Sequence, residues 1–331
     1  MEKKPLISII IPTKDSAHFF EKCVKEIKKQ SYKNLEILIV DGGSTDKTLE
    51  IAKKYKLKVY QNKKVLAEPG VALGMNEAKG KYCVVLAVDN FFQSKNAIKQ
   101  MVNVLETDQI FAIFPKHISR SNANIYTKYH NYFSDPFTHF VKWHAANGRS
   151  FGKIYKLIKD GKFYKTYDFN SNKQTPVIAL AQGIMVNRDI VKLRKNDYDD
   201  ILPIIKLIKS KKRIAFANEI GLYHDCTRDL NHFFRKQRWA VSNSLNKQKD
   251  FGIASRVSTL TFVEKFKGFI FPIYGVSFVL PLLMALYQVY IKKASRNWLY
   301  HPFLTFLAAV AFCLELFLYC TKFSKKPISR Q

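Results

Sequence analysis

The chain has 331 residues, with 55 Lys and Arg against 26 Asp and Glu, giving a formal net charge of +29 and a pI near 9.8. That length allows a catalytic-sized domain of about 250 residues with an appendage, and the charge demands an anionic partner. The basic residues are spread along the chain and no nucleic-acid module is recognisable, so nucleic acid is set aside in favour of an anionic membrane face. The five cysteines are odd in number, lack Cys-X-X-Cys spacing and sit in apolar settings, which excludes a disulfide-built fold and suits a cytosol-facing protein. The chain opens on Lys3, Lys4 and a strand, so no cleavable signal peptide is expected.

Residues 6–12 (Leu-Ile-Ser-Ile-Ile-Ile-Pro) predict a buried strand, Thr13-Lys14-Asp15-Ser16 a polar loop, and Phe19, Cys23 and Ile27 one buried helical face at i, i+4, i+8. Residues 37–40 predict a second buried strand that stops at Asp41-Gly42-Gly43, with Ser44 or Thr45 able to cap a helix over 48–55. Asp-Gly-Gly is ordinary turn chemistry as well as binding-loop chemistry. The βαβ order favours binding, because parallel strands bring both loops to one edge, where Thr13, Asp15 and Asp41 face a shared crevice. A third unit follows: a short strand at Val59-Tyr60, a helix over 69–79, and a strand over 80–90 that delivers Asp89.

Residues 113–175 are rich in Tyr, Phe and Lys and are the least assignable. Lys159-Asp-Gly-Lys162 predicts a β-hairpin; Tyr126, Tyr129, Tyr132 and Phe133 predict a packed helix face. His130, His139 and His144 show no metal-site spacing. Gln182 to Arg188 reads as strand and turn. Asp199-Asp200 precedes an apolar-periodic helix over 201–208, a place where acids also simply favour the positive helix end. A strand-like run at 213–217 leads to Gly221-Leu-Tyr-His224, and then to Arg235-Lys-Gln-Arg238-Trp239.

Residues 253–269 interleave apolar residues with Arg256, Lys265 and Lys267, as an interfacial helix does. Residues 268–291 hold no charge and 297–321 only Glu315, so two transmembrane helices are expected. Their connector, Lys292 to Asn297, allows only a tight hairpin. Flanking Lys265, Lys267, Lys322, Lys325, Lys326 and Arg330 favour the cytoplasmic face, although Lys292, Lys293 and Arg296 blur that vote. Pro272, Pro281 and Pro302 would also permit a re-entrant hairpin. Glu315 needs a partner, such as a lipid head group or an oligomer neighbour, or must snorkel to the interface.

Three ordered motifs, Ile-Ile-Ile-Pro-Thr-Lys-Asp, Ile-Val-Asp-Gly-Gly-Ser-Thr-Asp-Lys-Thr and Gly80-Lys-Tyr through Asp89-Asn90, resemble those of family 2 glycosyltransferases. The resemblance covers the first two thirds of the chain. It implies an α/β GT-A fold, a Rossmann-like, mostly parallel sheet flanked by helices, and inverting transfer from a UDP- or GDP-sugar. It implies a donor half at 1–115 and an acceptor half at 116–250, which leaves the expected interfacial helix and hairpin at 251–331. By position, Pro12, Thr13, Asp15, Gly43 and Asn76 would serve the donor, Asp41 would hydrogen-bond the base, and Asp46 would cap the following helix. Asn76 is equally a solvated or capping amide. The family's Asp-X-Asp metal motif reads Ala87-Val88-Asp89 here, leaving one carboxylate for Mn²⁺ or Mg²⁺, with His224 as a second ligand or an ordinary hydrogen-bonded residue.

Asp199-Asp200 matches the family's acidic pair, which implies Asp199 as an acceptor- or diphosphate-binding residue and the second member, Asp200, as general base. Arg235, Arg238 and Trp239 match a Gln-X-X-Arg-Trp motif with Arg in place of Gln. A guanidinium suits an anionic acceptor or the donor diphosphate, and the missing Gln argues for single-sugar transfer. The expected protein is a membrane-anchored transferase acting on a lipid-linked or polyprenyl-phosphate acceptor. The alternative, raised by Ala87, is a catalytically silent nucleotide-sugar-binding scaffold.

Overall fold

The computed structural model describes residues 4–191, 199–246 and 259–321. Two compact units emerge: Met1–His117 with Tyr155–Asn172 and Val177–His224, and Ile118–Ile154 with Lys173–Pro176 and Asp225–Gln331. This differs from the expected divisions at 115 and 250, which followed sequence order. Much of the expected acceptor half returns to complete the first unit's sheet, and the C-terminal segment joins the second unit.

In chain order the elements are β1 (Ile7–Thr13), α1 (Ala17–Lys28), β2 (Leu35–Asp41), α2 (Thr48–Lys54), β3 (Lys58–Gln61), α3 (Ala67–Glu77), β4 (Tyr82–Leu86), β5 (Asn90–Phe92), α4 (Ala97–Thr107) and β6 (Ala112–Ile118). Then come α5 (Ile125–Phe133), α6 (Pro136–Lys142), the hairpin β7 (Lys156–Asp160) and β8 (Tyr164–Asp168), β9 (Gln182–Asn187), α7 (Leu202–Lys209) and β10 (Ile214–His224).

The sheet runs β3-β2-β1-β4-β9-β6-β10-β8-β7, with β5 pairing β10. Strands β3, β2, β1 and β4 are parallel, as the βαβ order predicts. The expectation of a mostly parallel sheet fails beyond them. Strand β9 lies antiparallel to β4 and β6, and β10 pairs antiparallel with β5 and β8. Parallel pairing needs a crossover helix over the sheet. Helices α1, α2 and α3 supply one each, whereas β8 enters from a tight hairpin.

Packing follows the strand period of two. Ile7, Ile9 and Ile11 share one core with Phe20, Cys23, Val24 and Ile27 of α1. On the other face α3 approaches through glycine: a Cβ on Gly74 would stand 2.3 Å from Ile10 Cγ2 and one on Gly70 3.2 Å from Pro12 Cβ. Burial pushes the thiols of Cys23 and Cys83 up to about 12, so both behave as inert core residues.

The second unit adds α8 (Leu230–Asn246), α9 (Phe262–Val276), α10 (Val279–Leu286) and α11 (His301–Cys320). Tyr129 and Phe133 are buried and Tyr126 and Tyr132 pack beside them, as the aromatic spacing on α5 predicts. One continuous helical run, Arg296–Cys320, is long and apolar enough to cross a membrane. The other apolar stretch is bent by 95° between α9 and α10, so of the two expected transmembrane helices one is a continuous run and the second is a broken span or a re-entrant loop. Pro281 explains the break: it lacks the N–H that would bond to the carbonyl of Ser277, and Phe278 turns at φ +52. Residues 253–258 of the expected interfacial helix lie outside the described residues. From Thr261 the chain is capped by a reciprocal Thr261–Glu264 box that opens α9.

Candidate active site

The first two loops meet as the βαβ order requires. Thr13 and Asp41 are register partners at the ends of β1 and β2, and Gly42 N donates to Thr13 O at 2.8 Å. Asp15 N donates to Ser44 Oγ at 2.8 Å, and Thr45 N donates to Asp15 Oδ1 at 2.6 Å.

Asp41 is nearly buried, and its carboxylate accepts from Gly43 N and Ser44 N at 2.9 Å each and from Ser44 Oγ at 2.5 Å. The turn needs Gly43 at φ +86, and Gly42 allows no side chain because a Cβ would stand 2.6 Å from Val65 O. Asp46, expected to cap α2, precedes the N-cap position Lys47; it accepts from Thr48 N and from Ala17 N at 2.9 Å each, joining the start of α2 to that of α1. These acids build the loops. Thr13 Oγ1, by contrast, is buried with no partner among the described residues.

Ala87, Val88 and Asp89 form a turn between β4 and β5, closed by Asn90 N donating to Ala87 O at 3.0 Å. Because β5 pairs with β10 in the register His224↔Asn90, His224 Nε2 comes to 3.7 Å from Asp89 Oδ2. Both side chains are partly accessible, at 24% for Asp89 and 15% for His224. Asn90 Oδ1 beside them is a buried acceptor with no partner among the described residues.

Sequence reasoning missed His117, whose ring lies 5.1 Å from that of His224. His117 Nε2 sits 3.2 Å from Gln182 O, and a carbonyl only accepts, so the proton is on Nε2. The available signal was the apolar run at 110–114, which leads into β6. Also missed was the turn at 179–182. There Leu180 N donates to Asp200 O at 2.9 Å and Asn90 Nδ2 to Ala181 O at 3.3 Å. This turn ties the backbone of Asp200 to the Asp89, Asn90 and His224 group.

Asp199, for which the resemblance implies acceptor or diphosphate binding, accepts through Oδ1 from Ile201 N at 2.7 Å and Leu202 N at 2.8 Å at the start of α7. Asp200 is half-buried. Asn76 is not brought to the loops. It is exposed near the end of α3, whose continuation packs Gly80 against Leu6 and Ser8 at the start of β1, away from Thr13 and Asp41.

In the second unit, Arg235, Arg238 and Trp239 lie on α8. Arg238 Nε donates to Glu315 Oε1 at 2.5 Å, which supplies the partner that an acid in an apolar helix requires. Arg235 Nε is buried without a partner among the described residues. Burial, reinforced by Lys236, Arg228 and Arg235, pulls His232 down to about 4, which marks this helix as a place of excess positive potential.

A mixed α/β sheet flanked by helices, with its loops gathered at the ends of parallel strands, defines a GT-A-like protein. The profile of Glycosyl transferase family 2 matches residues 8–178, more than half of the chain, and the chain belongs to that family. Glycosyltransferase GlyG of Streptococcus pneumoniae is 28% identical over 238 residues, covering 69% of this chain and 65% of that protein. A dolichyl N-acetyl-alpha-D-glucosaminyl phosphate 3-beta-D-2,3-diacetamido-2,3-dideoxy-beta-D-glucuronosyltransferase of Methanococcus voltae is 36% identical over 88 residues, 24% of this chain and 27% of that one. The chain thus spans less than two thirds of the length of these relatives. Among solved structures, the mannosyltransferase PcManGT of Pyrobaculum calidifontis, in complex with GDP-Man and Mn²⁺, shares the fold with a TM-score of 0.54 at 13% identity, over 94% of this chain and 88% of that one.

Proposed function

We propose that the protein is a membrane-associated, inverting glycosyltransferase that moves one sugar from a UDP- or GDP-sugar to a lipid-linked or polyprenyl-phosphate acceptor. The observation that carries this reading is the distribution of carboxylate partners in the first unit. Asp15, Asp41, Asp46 and Asp199 all accept from backbone N–H groups, whereas the polar partner of Asp89 is an imidazole 3.7 Å away. Asp89 is therefore the strand-end acid left for a ligand.

A divalent ion fits these residues. Asp89 offers a carboxylate oxygen, His224 an imidazole nitrogen, and the neighbouring Asn90 Oδ1 is an acceptor with no donor among the described residues. This mixed set suits Mn²⁺ better than Mg²⁺, which favours oxygen alone. When bound, such an ion supplies positive charge for a leaving diphosphate, with fewer protein carboxylates than Asp-X-Asp would give. The mannosyltransferase of the same fold was solved with Mn²⁺, which supports the choice.

The loops after β1 and β2 hold the donor through backbone N–H groups and Thr13 Oγ1, with Asp41 fixing their shape. Asp200 takes the proton from an acceptor hydroxyl as it attacks the anomeric carbon from the face opposite the nucleotide. If the acceptor is a polyprenyl phosphate, its oxygen is already anionic and Asp200 positions it. The Methanococcus relative is named for a dolichyl-linked phosphate, which supports an acceptor of that class. The catalytic domain faces the cytoplasm in this reading.

The test is transfer from a panel of labelled UDP- and GDP-sugars into organic-extractable product by membranes holding the protein, with Asp89→Ala and Asp200→Asn beside it. Transfer lost in Asp89→Ala is expected. Donor binding without transfer by the unaltered protein across the panel would instead favour a silent scaffold, and near-full turnover by Asp200→Asn would remove its role as base.

A further inference from the structure

We infer that the C-terminal apolar helices do not cross a bilayer but lie along it, making the second unit a monotopic membrane anchor that enters one leaflet. The inference rests on the membrane association proposed above and concerns its geometry.

Helix α11 is held at both ends by water-compatible segments of its own unit. At its start, Tyr129 OH is 2.7 Å from His301 Nδ1, and the Phe133 ring is 4.8 Å from that of Trp298, which precedes the helix. Midway, Phe137 of α6 stacks on Phe312 at 6.0 Å. Near its end, Glu315 meets Arg238 of α8. Helix α5 carries Lys128 and His130, and α8 carries Arg235, Lys236 and Arg238, charges that hydrocarbon would not admit without large cost. The start of α5 is fixed to the approach to α8, because Asn124 Nδ2 donates to the carbonyls of Thr227 at 2.7 Å and Arg228 at 2.8 Å. A 20-residue helix is about 30 Å long, enough to cross a bilayer. Pinned at both ends on one polar layer, it runs along that layer instead.

The other apolar segment agrees. Glu264, fully buried at the start of α9, faces Lys142 of α6 at 3.0 Å, and Gly275 near its end packs so closely that a Cβ would stand 2.4 Å from Ala309 Cβ. The 95° bend then turns the chain away from a span. The outward faces are apolar: Phe262, Phe266, Phe269, Ile273 and Val276 form a stripe at steps of four and three along α9, all exposed. Leu283 on α10, Tyr290 and Ile291 just after it, and Phe317 on α11 are likewise exposed.

The occupant is one leaflet of an anionic bilayer. Exposed Lys265, Lys292, Lys293 and Arg296 accompany the apolar surface, Tyr287 and Tyr290 supply interfacial aromatics, and the chain carries +29 overall.

The experiment uses the full chain in sealed membrane vesicles, in a Cys313→Ser, Cys320→Ser background, with an impermeant maleimide reporting on single cysteines. Lys153→Cys marks the polar side of the unit, Lys292→Cys the connector and Thr321→Cys the far end of α11. All three labelled from the same side, before detergent, is the expected result. A connector or far-end site labelled only from the side opposite Lys153→Cys would overturn the in-plane geometry while leaving membrane association intact. Failure of the unaltered protein to float with vesicles containing anionic lipid would instead defeat the membrane reading itself.

Discussion

In the first unit Asp15, Asp41, Asp46 and Asp199 accept from backbone N–H groups, whereas in the second Glu264, which also accepts Thr261 N in its own cap, and Glu315 each face a cation from another helix. An acid that accepts N–H groups of its own loop shapes a surface at the end of a strand and asks for no second charge. An acid sealed among apolar helices must be neutralised by a partner, so it fixes which helices lie together. Asp89 belongs to neither pattern. Its turn presents a partly accessible carboxylate to His224, and the proposed function rests on that exposure rather than on the more conspicuous Asp41.

The contrast breaks first where the charges are most buried. Lys142→Met strands Glu264, whose side chain is 0% exposed against 9% for Lys142, and should cost about 3–5 kcal/mol in denaturant unfolding. The double change with Glu264→Met should recover most of it. Arg238→Ala should cost about 3 kcal/mol, the lower end of that range, because Arg238 is 30% exposed and partly screened. An unchanged stability there would mean that Glu315 is not held by Arg238.

Asp41→Ala removes an acceptor from two backbone N–H groups and a hydroxyl, for an expected loss of about 1–3 kcal/mol. Nucleotide affinity should fall with it, in step with faster amide exchange at Gly43 and Ser44. Weaker nucleotide binding with unchanged exchange would show direct contact with the base instead.

The smallest effect concerns pH. Burial, followed by nearby cations, holds His144 and His232 down to about 4 from 6.5. Both are neutral when folded and take up protons when unfolded across that window, so the unfolded state binds more protons there. Stability should be fully present above about pH 6.5 and fall as pH drops toward 4, lowering Tm by on the order of a few degrees. A Tm that rises on acidification would contradict it.

Local order was legible in the sequence wherever it followed from nearest neighbours. The apolar runs at 6–12 and 37–40, the loops ending in Thr13 and Asp41, the Lys159-Asp-Gly-Lys162 hairpin and the aromatic face of α5 all appear in place. The adjacency of Asp89 and His224 followed from motif order, though nothing in their spacing required it. What the sequence did not show depended on long-range pairing. The antiparallel return of β9, the placing of His117 beside His224, and the turn at 179–182 that ties Asp200 to this group all arise from strands joining the sheet out of chain order. At the C-terminus apolar length was legible, and one continuous run of the two expected is present, but the 95° bend in the other stretch and the pairing of its helices with Arg238 and Lys142, distant in sequence, were not.

The most direct test of the central claim is calorimetric titration of UDP- and GDP-sugars, with and without Mn²⁺, into the unaltered protein and its Asp89→Ala variant. Mn²⁺ should tighten donor binding to the former and leave the latter, equally stable, indifferent to the ion. The same Mn²⁺ enhancement in both proteins would contradict the assignment of Asp89 to the reacting centre.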